Sequence, residues 1–238
     1  MQYLFSLFLI LCPIIHIAFR IKNNIDYKKS TYYQITKIPY SSLKHDTGHY
    51  GEFLTYNALK YLEGNGSKFL FNVYLPKEDG TTTEIDLLMI SPRGIFVFES
   101  KNYSGWIFGS EHQRDWYQTL PAGKGASRKE RFYNPIMQNN SHIRHLKAFL
   151  GEEMPMKSII VFSDRCTLKS IQVLSNDVSV VNRCNAASAA NGMYSRLPCD
   201  TLSSTKIEHI YNKLYPYTQV DAMTKSQHNI NIYGNFKF

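Results

Sequence analysis

The chain has 238 residues, a formal net charge of +8, 43% apolar residues and 14% aromatic ones. That composition excludes disorder throughout and suits one ordinary domain with an appendage. The basic excess, 27 Lys and Arg against 19 Asp and Glu, favours polyanionic partners such as nucleic acid or an anionic membrane face without choosing between them.

The chain opens with an apolar run, Tyr3 to Phe19, that contains no Asp, Glu, Lys or Arg and is near the lower length limit for a spanning helix. Pro13 and His16 interrupt it. A cleaved signal peptide is the competing reading, but no Lys or Arg precedes the run and no small-x-small site follows it. A buried core helix would carry a polar stripe, which this run lacks. The expectation is a transmembrane anchor over residues 1–20. Arg20, Lys22, Lys28 and Lys29 follow at once, which places the remainder in the cytoplasm by the positive-inside tendency. Cys12, Cys166, Cys184 and Cys199 show no CxxC pair and no zinc-finger spacing, and fit a reducing compartment better than a disulfide framework.

Residues 21–45 read as a juxtamembrane linker, residues 46–165 as the folded core, and residues 166–238 as an extension packed on it with its last dozen residues loose. Asp46 or Thr47 can cap a helix carrying "GEFLTYNALKYL", with Phe53, Leu54, Ala58, Tyr61 and Leu62 as its apolar face and "EGNGS" as its stop. "KFLFNVYLP", "TTTEIDLLMIS" and "GIFVFESKN" then form a β-meander. Residues 104–133 read as an elaborated loop anchored by Trp106 and Trp116. Asn134 caps and Pro135 opens a helix that Gly151 closes. "KSIIVFS" is a short buried strand, "DVSVVN" a weaker one, and a last helix falls near 204–214. The core order is therefore αβββαβ.

The second and third strands join through "SPRG". If Pro92 and Arg93 make a two-residue loop, Ser91 opposes Gly94 and Asp86 opposes Glu99, with Cβ atoms about 5 Å apart. A bulged turn would shift the pairing by one and send the two carboxylates to opposite faces. Two carboxylates that close repel unless one is protonated or a cation lies between them. A hard divalent metal resolves the conflict, and Lys101, two residues beyond Glu99, could then orient a metal-bound water toward a phosphate. Taken singly the residues have plain explanations: Glu99 and Lys101 a salt-bridged rim, Glu52 a complement to its helix dipole, Gln138 and His142 a solvated face.

The helix with "GE", the stretch "TEIDLLMISPRGIFVFESKNYSGWIFG", the following Trp and "NPIMQNNSHIRHL" together resemble the nuclease-related domain (NERD), a branch of the PD-(D/E)xK restriction-endonuclease-like superfamily. The resemblance covers roughly residues 46 to 165. It implies a restriction-endonuclease-like α/β fold with a central mixed sheet flanked by helices, and phosphodiester hydrolysis of nucleic acid, DNA first. It implies that Asp86, Glu99 and the carbonyl of Ser100 hold Mg²⁺ or Mn²⁺, that Lys101 activates the water, and that Glu52 holds a second metal or its water. Gln138 and His142 would position substrate. Lys124, Arg128, Lys129 and Arg131, with Arg144 and Lys147 beyond them, are candidates for backbone-phosphate contacts. Two alternatives stay open: a non-catalytic module that binds nucleic acid or protein at the membrane with the same fold, and a lipid-surface protein working through its basic residues.

Overall fold

The structure is a computed structural model that describes residues 2–123 and 125–234, with side chains described for residues 14–123, 125–228, 230 and 231. Lys124 and residues 235–238 lie outside the described residues.

A first helix, α1 (Gln2–Lys28), leads into two short ones, α2 (Thr31–Thr36) and α3 (Tyr40–His45). The stretch expected as a linker is therefore helical. Tyr27, Tyr32, Ile35 and Leu43 are buried in the main core, and Tyr32 packs edge-on to Phe53 and close to Phe71. The run looked polar because two of its buried positions, Tyr27 and Tyr32, are tyrosines, which bury a ring while the hydroxyl finds an acceptor. The Tyr27 hydroxyl donates to the Ile38 carbonyl at 2.8 Å. The spanning helix is not supported: among the described residues no helix is long and apolar enough to cross a membrane. The side chains of the run through residue 13 lie outside those described, and the described part of α1 turns polar from Arg20, with Lys22, Asn23, Asn24, Asp26 and Lys28.

Helix α4 (Thr47–Leu59) starts where its signals place it, with Asp46 accepting from the His49 N–H at 3.0 Å. Its buried face is Glu52, Thr55, Tyr56 and Leu59; of the expected Phe53, Leu54, Ala58, Tyr61 and Leu62, Leu62 is buried just beyond the helix, Phe53 packs partly buried on the core, and Tyr61 is exposed. Three strands follow, β1 (Lys68–Pro76), β2 (Thr82–Ser91) and β3 (Gly94–Lys101). Gly94 has φ +142°, and an added Cβ would lie 2.5 Å from the Pro155 carbonyl oxygen, so the hairpin has room for nothing larger.

The region expected as a loop forms β4 (Gly105–Ser110), β5 (Asp115–Gly123) and β6 (Ala126–Tyr133). Charge hid these strands: β6 is an exposed edge strand, and an exposed edge tolerates "SRKER" on both faces. Helix α5 (Pro135–Leu150) comes next, then β7 (Met156–Phe162), β8 (Cys166–Gln172), β9 (Val178–Asn182), α6 (Ala186–Ser195), α7 (Ser204–Leu214) and α8 (Ala222–Gly234). The expected loose tail is helical as far as Gly234, and His228 on it is buried against Thr82 and Tyr74.

The result is a mixed α/β fold with two mixed sheets. The five-stranded sheet runs β1-β2-β3-β7-β9, antiparallel through β3 and parallel from β3 onward, and the four-stranded sheet runs β6-β5-β4-β8. Between them Trp116 stacks on Phe162 at 6.2 Å with Ile107 and Ile136 alongside. Asn134 explains the "NP" pair structurally. Its Oδ1 accepts from the Ile136 and Met137 N–H groups, while its Nδ2 donates to three carbonyls of the β4–β5 turn, so the start of α5 is fixed to the second sheet.

That sheet is held to the chain beyond it by Glu111, whose carboxylate accepts from the Leu174 and Ser175 N–H groups and the Ser175 hydroxyl. Burial alone would raise its pKa, but these donors hold it below the usual glutamate range. A depressed folded-state pKa contributes stability that is present above the unfolded value, near 4.3, and lost as pH falls through the folded one. Glu111→Gln should accordingly cost roughly 1–3 kcal/mol at pH 7 and much less at pH 3, read by urea unfolding at both values. Equal loss at both would disprove the ionic role.

Candidate active site

The two-residue loop places Ser91 against Gly94 and Leu87 against Phe98, and Asp86 and Glu99 are the next residues along each strand. The bulged alternative is not adopted. Asp86 Oδ2 accepts from the Ser100 N–H at 2.9 Å, which ties the end of β3 to β2 at the carboxylate pair. Ser100 turns its hydroxyl the other way, to Thr55 on α4 at 3.2 Å.

Glu99 is 1% exposed and lies between Lys101 and His142. Lys101 Nζ lies 2.7 Å from its Oε1 and also donates to Gln138 Oε1 at 3.1 Å. His142 Nε2 lies 3.3 Å from Oε2 in an approach not aligned as a hydrogen bond, so both atoms are buried without a hydrogen-bond partner. The other ring nitrogen, Nδ1, meets the Thr83 hydroxyl at 2.7 Å. Gln138 and His142 are one turn apart on α5, and Asn139 between them is fully buried, donating to the Val97 carbonyl and the Ser158 hydroxyl, both at 2.8 Å. That anchor presents Gln138 and His142 to β3.

Glu52 approaches from α4. Its Oε2 accepts from the Tyr32 hydroxyl at 3.1 Å and Asn72 Nδ2 at 3.1 Å, and lies 3.3 Å from His49 Nδ1. Asn72 adopts φ +50° in the middle of β1, a left-handed conformation open to Asn more than to most residues, and its amide also reaches Glu84 Oε1 at 3.4 Å. Glu84 in turn faces His228 Nε2 at 3.5 Å.

Four carboxylates, Glu52, Glu84, Asp86 and Glu99, thus crowd one end of the sheet beside a single lysine. Burial first, then the charges of Glu99 and Glu52, pushes the Asp86 carboxyl well above the usual aspartate range. Burial raises Glu84 as well, with Glu52 adding to it. Burial would also raise Glu99, but Lys101 and His142 keep it ionised and below its ordinary value. Burial would lower Lys101, yet Glu99 beside it holds the ammonium above the usual lysine range. His49 is raised by its hydrogen bond to Glu52.

An excess of buried negative charge with an orphaned carboxylate oxygen is what a divalent cation would neutralise, and hard oxygen donors suit Mg²⁺ or Mn²⁺. Among the described residues no three His, Cys, Asp or Glu side chains could hold a metal ion by themselves. Asp86 and Glu99 are the two carboxylates that lie together where β2 and β3 end, and the charge of Glu99 is felt at Asp86. Glu52 is in the same acidic cluster, but its Oε2 already faces three donors.

The basic residues are not at this centre by any bond described for Arg128 or Lys129. On β6, Arg128 pairs with Glu130 at 2.7 Å, Lys129 lies over the Tyr117 ring at 3.9 Å, and Arg131 pairs with Asp115 at 3.7 Å. Lys124 lies outside the described residues.

Sequence reading missed Tyr32, Asn72, Thr83 and His228. Asn72 left a signal, being the polar residue in the middle of an otherwise apolar stretch, Phe69 to Leu75; Tyr32 left none. Thr83→Val, which keeps shape but removes the partner of His142 Nδ1, should cost roughly 1–3 kcal/mol in urea unfolding, while Thr83→Ser should hold near the parent. If valine and serine behave alike, the hydroxyl does not matter.

A family model described as nuclease-related domain (NERD) matches residues 47–163. Among known proteins, the uncharacterized protein pXO1-01 of Bacillus anthracis is 30% identical over 189 residues, spanning 79% of this chain and 85% of that relative. No solved structure matches the chain.

Proposed function

The chain belongs to the nuclease-related domain (NERD) family, and we propose that it uses this nuclease-like domain for metal-dependent hydrolysis of nucleic-acid phosphodiester bonds, with DNA as the first substrate to test. The observation that carries the reading is the pairing of Asp86 with Glu99 beside Lys101 in a pocket whose negative charge is not balanced by its own cations. A solvated rim would not bury Glu99 or push the Asp86 carboxyl upward.

In this reading Asp86, Glu99 and the carbonyl of Ser100 hold Mg²⁺ or Mn²⁺, which when bound supplies Lewis acidity toward a phosphate oxygen and a more acidic water. Lys101, kept fully protonated by Glu99, donates from Nζ to the attacking water or to a non-bridging phosphate oxygen, where negative charge grows as the phosphorus becomes five-coordinate. Gln138 fixes where that Nζ points. His142, held through Nδ1 by Thr83, turns Nε2 toward Glu99 and helps to position substrate. Glu52, oriented by Tyr32 and Asn72, adds negative potential beside Asp86 and can hold a second cation's water. The exposed β6 residues Arg128, Lys129 and Arg131, with Lys124, supply backbone-phosphate contacts away from the reacting centre.

The proposal extends to location. Ile14, Ile15, Ile17 and Phe19 on α1 are all more than half exposed, and Arg20 and Lys22 follow them. That pattern supports anchoring through α1 with the domain on the cytoplasmic side. The test of activity is cleavage of supercoiled plasmid and of single- and double-stranded oligonucleotides by the full chain with Mg²⁺ or Mn²⁺. Cleavage that stops with chelator and with Glu99→Gln is expected. No cleavage of any of these substrates with either metal would overturn the catalytic reading.

A further inference from the structure

At the foot of α1, where it meets α2 and α3, the surface closes into a cleft of about 550 Å³. Its wall carries Arg20 and Lys28 from α1 and Lys44 and His45 from the end of α3, and not one Asp or Glu. The three cations Arg20, Lys28 and Lys44 in one concavity repel each other and have no carboxylate to balance them there, an arrangement that attracts an anion. Lys44 is held in place over the Tyr40 ring at 4.7 Å, so at least one of these ammonium groups is oriented rather than free in solvent. Asn24 also lines the cleft, as a neutral polar side chain among the basic ones.

The occupant is indicated by what adjoins the cleft. Ile21 is at once a wall of the cleft and a member of the exposed apolar series of α1, and Ile17, one turn before it, is 57% exposed. An anionic head among the cations with a hydrocarbon tail along Ile17 and Ile21 satisfies both surfaces, which a free phosphate or a nucleic-acid backbone would not. We propose that this cleft is a binding site for the phosphate-bearing headgroup of an anionic phospholipid. The inference rests on the reading of α1 as a membrane-associated helix, and would set the depth and orientation of the catalytic domain against the bilayer.

The test uses the full chain in neutral detergent and follows binding of dihexanoylphosphatidylglycerol, dihexanoylphosphatidylcholine, inorganic phosphate and a short DNA duplex. Phosphatidylglycerol is expected to bind at least tenfold more tightly than phosphatidylcholine or inorganic phosphate. The exposed pair Lys28→Gln and Lys44→Gln together should weaken it about tenfold or more. Equal binding of the two lipids, or an unchanged affinity in the double variant, would overturn the proposal. So would phosphate or DNA competing at lower concentration than the lipid, which would make the cleft a free-anion or nucleic-acid site. Flotation on purely neutral vesicles tests α1 separately. Parent and double variant should float alike; a parent that stays in solution yet keeps its phosphatidylglycerol preference would refute the anchor and leave the cleft.

Discussion

Asp86→Asn should reduce metal-dependent cleavage by about a thousandfold while leaving the metal-free protein at least as stable as the parent. The two effects have one cause. Asp86 sits against Glu99 with Glu52 near it, and burial deepens the repulsion among them. Asparagine keeps the size and can still accept from the Ser100 N–H, now at 2.9 Å from Oδ2, so the strand junction survives. Removing one of two opposed like charges should return about 0.5–1 kcal/mol in urea unfolding. Removing a metal-holding carboxylate should meanwhile end the chemistry. A residue kept for packing would behave in the opposite way, with lost stability and retained activity, and that outcome would sink the assignment.

Lys101→Met should damage the fold severely. It leaves the Glu99 carboxylate, 1% exposed, without the ammonium 2.7 Å away. Breaking a buried pair by deleting one partner costs about 3–5 kcal/mol, because the remaining charge has lost its solvent and its partner together. Adding Glu99→Gln to Lys101→Met should recover most of that loss, since no buried charge is then left alone. Lys101→Arg should fold but cleave poorly, because a planar guanidinium cannot place one donor where Nζ stands beside Gln138. If the double variant is no more stable than Lys101→Met, the pair is not the reason Lys101 matters.

The meander was readable from its runs of apolar β-formers, whereas its register was not: "SPRG" allows a two-residue loop or a bulged turn, and only the structure shows the first. The α5 start was readable from Asn134 and Pro135 for local reasons. The second sheet was not. β6 carries charge on both faces because it is an edge, and β8 is largely exposed, so neither shows an apolar period. Residues 21–45 misled in another way: tyrosines share their few buried positions with Ile35 and Leu43, and Tyr32 becomes a site residue only through a contact with Glu52 twenty positions on. Long-range contacts of this kind leave no periodic trace. The same contact means that a fragment begun after Tyr32 would lose both core packing and the orientation of Glu52, so the full chain is the proper material for every assay.

The central claim is that Asp86 and Glu99 are paired to hold a divalent cation. Calorimetric titration of Mn²⁺ into the full chain, with Asp86→Asn and Glu99→Gln alongside, tests it most directly. Saturable binding by the parent that weakens at least tenfold in both variants is the predicted result. A parent that binds no Mn²⁺, or variants that bind it as well as the parent does, would contradict the claim.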